Sequence, residues 1–129
     1  SDVYKRQAEV VKDIVTKAPA KVESSGDPVK QGYDIFTGTG GCVACHKIEN
    51  IPTAIGMVGP ELTYIGTDSE TRQPGVSAKD YLYESIREPQ AFVPEGVERS
   101  VPNLMTAAIT ARLTEDEVNA LVAFLLEQK

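Results

Sequence analysis

Apolar and polar positions recur with a helical period at four places along this chain. From Asp2 to Lys17, Val3, Val10, Ile14 and Val11, Val15 fall roughly three or four apart among Lys, Arg and Glu, which predicts a helix with a narrow, β-branched apolar face. Ala18 to Gly26, APAKVESSG, reads as a linker. Asp27-Pro28 then supplies a cap followed by proline at the first helical position, and the helix it opens carries Gly32, Tyr33, Ile35 and Phe36 before stopping in the glycines ahead of Cys42. Ser77 to Asp80 resembles a capping box; Leu82 and Ile86 share a face, and Pro89 marks the stop. Thr114-Glu-Asp-Glu117 is a full capping box, with Val118, Leu121, Val122, Leu125 and Leu126 forming an amphipathic helix to the C-terminus. Between these helices the chain reads as loop. Cys42 to Gly75 is rich in Gly, Pro and Thr, with one helical turn expected near Glu61–Ile65, and residues 90–103 contain Pro94, Gly96 and Pro102. No alternating strand pattern and no internal repeat occurs. The expected class is all-α, about four or five short helices with long loops, arranged as an N-terminal extension over 1–26 and one domain over 27–129. Loops of this length are uncommon in a compact domain unless they serve a function.

Composition sharpens this picture in two ways. The 129 residues hold no Trp, three Phe and five Tyr, a thin aromatic filling for a core, so a large apolar ligand inside would help. The net charge of −6 would repel nucleic-acid phosphates and excludes that class of partner. No apolar run approaches the roughly 20 residues needed to span a bilayer. The chain begins SDVYKRQ, without Met or a signal-peptide apolar region, and reads as a processed or trimmed product whose export signal or anchor is out of view.

Both cysteines and the single histidine lie in GGCVACHKI, residues 40–48. If residues 42–46 form a helical turn, Cys42, Cys45 and His46 project from one side and can address a single flat object. Cys-x-x-Cys-His is the signature of covalent haem attachment, with two sulfurs for the vinyl groups and an imidazole for the iron. Competing readings are weaker. A redox Cys-x-x-Cys normally follows a strand in a βαβ setting. Zinc would find three ligands in the cluster and no further Cys or His to close the site. A structural disulfide over so short a loop would add little stability. With haem bound, His46 is the proximal ligand, and its other ring nitrogen needs a fixed acceptor. No second histidine exists, which leaves Met, Lys, a terminal amine, water or nothing on the distal side. Of the two methionines, Met105 leaves enough chain after His46 to pass around the macrocycle edge; Met57 follows too closely. For either one, core packing is the bland alternative.

Taken together, these residues resemble the class I c-type cytochromes, the mono-haem kind found in bacterial respiratory chains. The likeness covers roughly residues 28–129. It rests on Gly32-x-x-x-Phe36, Cys42-Val-Ala-Cys45-His46, Val58-Gly59-Pro60-Glu61-Leu62, the helix ending Ser85-Ile86-Arg87-Glu88-Pro89, Met105, and Leu113-Thr-Glu-Asp-Glu117. The resemblance implies that Gly32 and Phe36 cross the last helix near Leu121 and Phe124. It also implies that the Pro60 carbonyl accepts from the His46 ring. One haem c, covalent through Cys42 and Cys45, would have His46 and Met105 as axial ligands. Relatives often place Pro directly after this Met; here Thr106 follows, and Pro102 precedes it by three positions. Tyr64, Arg72 and Arg99 are candidates to meet the haem propionates.

The function implied is one-electron transfer without catalysis. Donor and acceptor redox proteins would bind transiently, and the acidic balance suits a basic docking surface. The expected location is periplasmic or otherwise extracytoplasmic, with membrane contact only through an anchor beyond these residues or through a membrane-bound complex. Two other readings stand beside it: a haem c subunit or module of a larger oxidoreductase, and an open-site haem domain that binds a small gas.

Overall fold

The computed structural model describes residues 27–129. The helix expected at 2–17 and the linker at 18–26 lie outside the described residues. Among the described residues the regular structure is five α-helices and one 3₁₀ turn: α1 (Pro28–Thr37), the turn Cys42–Ala44, α2 (Ile65–Arg72), α3 (Ala78–Arg87), α4 (Ala107–Thr110) and α5 (Glu115–Leu126). Among the described residues there is no strand beyond an isolated bridge between Lys47 and Ile55. The fold is all-α.

Three helices begin where their caps place them. The Asp27 carboxylate accepts from Val29 N–H at 3.0 Å, and Pro28 takes the first helical position, whose N–H would have had no partner. The Ser77 hydroxyl accepts from Asp80 N–H at 3.1 Å. At α5 the box is reciprocal: Glu117 N–H donates to Thr114 Oγ1 at 3.1 Å, and Thr114 N–H donates to Glu117 Oε1 at 2.9 Å.

The helix expected near residues 61–65 forms later and runs longer, as α2. Its buried face is Ile65, Gly66 and Ser69. Ser69 is fully buried and returns its hydroxyl to the Ile65 carbonyl at 2.7 Å, so a polar side chain occupies the position where an apolar one would have signalled a helix.

α1 crosses α5 at closest approach through Gly32. A Cβ there would run into the Ala120 carbonyl oxygen and come within 2.5 Å of Phe124 Cβ, so the contact admits only glycine. The expected crossing is found, shifted slightly toward Ala120. Phe36 packs beside it, its ring 5.4 Å from that of Phe124. Val118, Leu121, Val122 and Leu125 of α5 meet Leu82 and Ile86 of α3 and Ile65 of α2 in one core. The C-terminal end of α3 is tied to the α4–α5 corner by Arg87, which donates to the carbonyls of Thr110 at 3.0 Å and Leu113 at 2.7 Å. Thr110 returns its hydroxyl to Ile86 O at 2.6 Å. Tyr83 O–H donates to the Glu115 carboxylate at 2.8 Å. These ties leave a cleft whose lining is drawn from all five helices and from the loops around Cys42–Pro60 and 89–105.

Candidate functional site

The cleft is lined largely by apolar side chains, among them Phe36, Leu62, Ile65, Leu82, Ile86, Leu121 and Leu125. Into this lining the chain brings Cys42, Cys45, His46, Pro60 and Met105 together.

The Cys42–His46 segment is a tight turn. It is entered through Gly41 at φ 67°, and Cys42 O accepts from Cys45 N–H at 3.1 Å and His46 N–H at 3.0 Å. The turn is the one the Cys-x-x-Cys-His spacing predicts, and its i, i+3 and i, i+4 spacing is what lets both sulfurs and the ring address one cleft. The segment 58–60 lies along this turn: Cys45 O accepts from Val58 N–H at 3.2 Å and Gly59 N–H at 2.8 Å. That places the Pro60 carbonyl 2.7 Å from His46 Nδ1. A carbonyl can only accept, so Nδ1 carries the proton and the neutral ring leaves Nε2 bare. A Cβ on Gly59 would lie 2.7 Å from His46 Cε1, so the strap can reach the imidazole only because residue 59 has no side chain. On its other side the strap is held by Arg99, whose Nε donates to Gly59 O at 2.8 Å across 40 positions of sequence.

The electrostatics suit a neutral donor set. Burial lowers the His46 pKa below its ordinary 6.5; the Pro60 hydrogen bond opposes this, and the nearby Arg99 guanidinium reinforces it. The ring is therefore neutral at pH 7. Burial, followed by the neighbouring Cys45, pushes the Cys42 thiol up to about 11. Both cysteines are free thiols. A nucleophilic or redox-active cysteine needs a depressed pKa, so the Cys42 environment weighs against that chemistry. Among the described residues no group of three or more His, Cys, Asp and Glu side chains is arranged to hold a metal ion.

The two methionines are placed differently. Met105 lines the cleft and is half-buried. Met57 is 64% exposed and lies outside the lining. Of the three propionate candidates, Arg72 and Arg99 line the cleft, while Tyr64 is 60% exposed and does not. Nothing in the sequence marks Gln90, whose amide touches the backbone on both sides of Leu104: it accepts from Asn103 N–H and donates to Met105 O. A polar residue in a loop carries no signal that separates such a role from solvation.

The model of the family described as Cytochrome c matches residues 29–129. Among characterised proteins, the cytochrome-c peroxidase IdrP2 of Denitromonas iodatirespirans is 30% identical over 112 residues, 81% of this chain. The match covers 26% of that protein, so the chain spans about a quarter of its relative's length.

Proposed function

The chain belongs to the cytochrome c family, and from that premise we propose that it is a one-electron carrier with a single haem c bonded through Cys42 and Cys45 and ligated by His46 and Met105. The family binds haem covalently and uses it for electron transfer. When bound, the haem supplies a ferric/ferrous couple at neutral pH.

The residues present fit the group. Two free thiols and a neutral imidazole with a bare Nε2 line one apolar cleft, and a thioether lines it as well. The observation that carries the proposal is the His46 Nδ1–Pro60 bond at 2.7 Å, because it fixes the tautomer a proximal ligand needs. In this reading Pro60 orients the ring, Cys42 and Cys45 would anchor the macrocycle, and Met105 would offer its thioether to the iron. A fully ligated iron leaves no site for substrate, so the chain itself relays electrons and does not catalyse. A thioether ligand and apolar surroundings both raise the reduction potential.

The proposed location is extracytoplasmic, in a respiratory or related redox chain. No helix among the described residues is long and apolar enough to cross a membrane. Donor and acceptor are redox proteins that dock briefly, and the net charge of −6 favours basic docking surfaces. A second reading is favoured by one observation: the relative is a peroxidase of which the match covers only 26%. The same domain would then serve as an electron relay within a larger oxidoreductase. Co-purification from native membranes separates the two, since a free monomer counts against the module.

The deciding experiment is expression in a host that matures such proteins, followed by an alkaline pyridine haemochrome spectrum and an intact mass. The expected result is one haem per chain, retained under denaturation. A colourless chain weighing only its amino acids would overturn the proposal. Met105→Ala is expected to abolish the weak long-wavelength sulfur–iron band of the ferric protein and open the ferrous form to carbon monoxide, whereas Met57→Ala leaves both unchanged.

A further inference from the structure

Residues 88–106 join α3 to α4 without helix or strand. The backbone bonds within this stretch are isolated turns: Ala91 N–H to Glu88 O at 2.9 Å, Ser100 N–H to Val97 O at 3.1 Å, and Leu104 N–H to Val101 O at 3.4 Å. Arg99 and Asn103 both sit at φ 68°, a conformation that non-glycine residues adopt at a cost and keep only when the surroundings impose it. Residues 101–104 are exposed, so burial does not fix the approach to Met105.

Gln90 supplies what the backbone lacks. Its Nε2 donates to Met105 O at 2.6 Å, and its Oε1 accepts from Asn103 N–H at 2.7 Å. The two partners settle the amide's orientation, because a backbone N–H can only donate and a carbonyl can only accept. One planar group thus grips the chain at 103 and 105, on both sides of a left-handed kink, much as a neighbouring strand would. Gln90 follows Pro89, whose ring fixes φ, and α3 ends just before it at Arg87, so the grip is anchored to the helical core.

We propose that Gln90 is the positioning residue for Met105: its amide fixes the Met105 backbone at the cleft and so sets how readily another ligand displaces the thioether. The inference rests on the reading of Met105 as the distal ligand. Gln90 is exposed, so each bond alone contributes modestly, but both must break before residues 103–105 can swing away. Opening of this loop is the step that a competing ligand exploits.

The test uses the full haem-loaded chain as wild type, Gln90→Ala, Gln90→Glu and Met105→Ala. Imidazole is titrated into each ferric protein while the sulfur–iron band is followed. Glu matches Gln in shape and keeps the acceptor for Asn103, but as a carboxylate it has no donor for Met105 O. Both Gln90 variants are therefore expected to bind imidazole about tenfold more tightly than wild type, and to retain the band when no imidazole is present. A role in mere loop packing would leave Gln90→Glu at the wild-type affinity, and that result overturns the proposal. If both Gln90 variants match wild type while Met105→Ala loses the band, Gln90 has no positioning role and the Met105 assignment survives. If Met105→Ala keeps the band, the ligand assignment fails and the inference fails with it.

Discussion

At the scale of single residues, the site depends on what Gly59 lacks as much as on what His46 carries. The imidazole is gripped through its Nδ1 by a carbonyl one residue beyond a glycine whose missing Cβ would stand 2.7 Å from the ring. A methyl there forces either the ring or the strap to move, and the strap is pinned by two backbone bonds to Cys45 O and by the Arg99 guanidinium. Gly59→Ala is therefore expected to destabilise the haem-loaded protein by about 1–3 kcal/mol, read as a lowered urea midpoint. The His46 ring resonances in the ferric NMR spectrum should shift at the same time. Unchanged resonances would mean that the strap, not the ring, gives way. The neutral state of this donor set follows from burial rather than from charged partners, since burial is the leading influence on both His46 and Cys42.

At the scale of helices, α1 and α5 meet through a glycine pressed onto a carbonyl, which cannot rotate aside as a flexible side chain could. Gly32→Ala is expected to cost about 3 kcal/mol, the upper range for overpacking, and urea unfolding measures it; a cost near zero would show that the helices can slide apart freely. The α3–α5 contact adds a pH-dependent bond. Tyr83 is held protonated above its ordinary 10, first by its hydrogen bond to Glu115 and then by burial. The raised folded value fixes the sign. The contribution to stability is complete below pH 10 and is lost as the pH climbs through the folded value. In a phenolate absorbance titration, the component removed by Tyr83→Phe should ionise above 10, and Glu115→Gln should bring it down. Helix legibility in the sequence followed the caps. Asp27, Ser77 and Thr114 marked α1, α3 and α5 because a side-chain oxygen next to a helix start has a local partner two or three residues on. α2 is expected too early and too short because Ser69 occupies part of its buried face, and α4 escapes because its four residues bury only Thr110.

At the scale of the whole molecule, legibility divides by distance along the chain. Cys42, Cys45 and His46 could be read as a unit because one turn carries all three. Met105 is favoured over Met57 by the length of chain available to pass around a macrocycle edge, and it is the methionine that lines the cleft. Gln90 could not be read, and Arg99 stands out in the sequence as a propionate candidate but not as a tie to Gly59, because their partners are backbone atoms 13, 15 and 40 positions away and backbone atoms leave no mark in a sequence. The segment 46–62, by contrast, is laced by its own main chain: Ile48 to Ala54, Leu62 to Lys47, and Val58 and Gly59 to Cys45. The two flanks of the cleft therefore differ in toughness, one woven from near neighbours and the other hung from a few distant threads. Gentle stress should part colour from shape: in a urea series the visible spectrum is expected to change before far-ultraviolet ellipticity falls, and to recover on dilution, because the pigment would still be riveted to its own short stretch of chain.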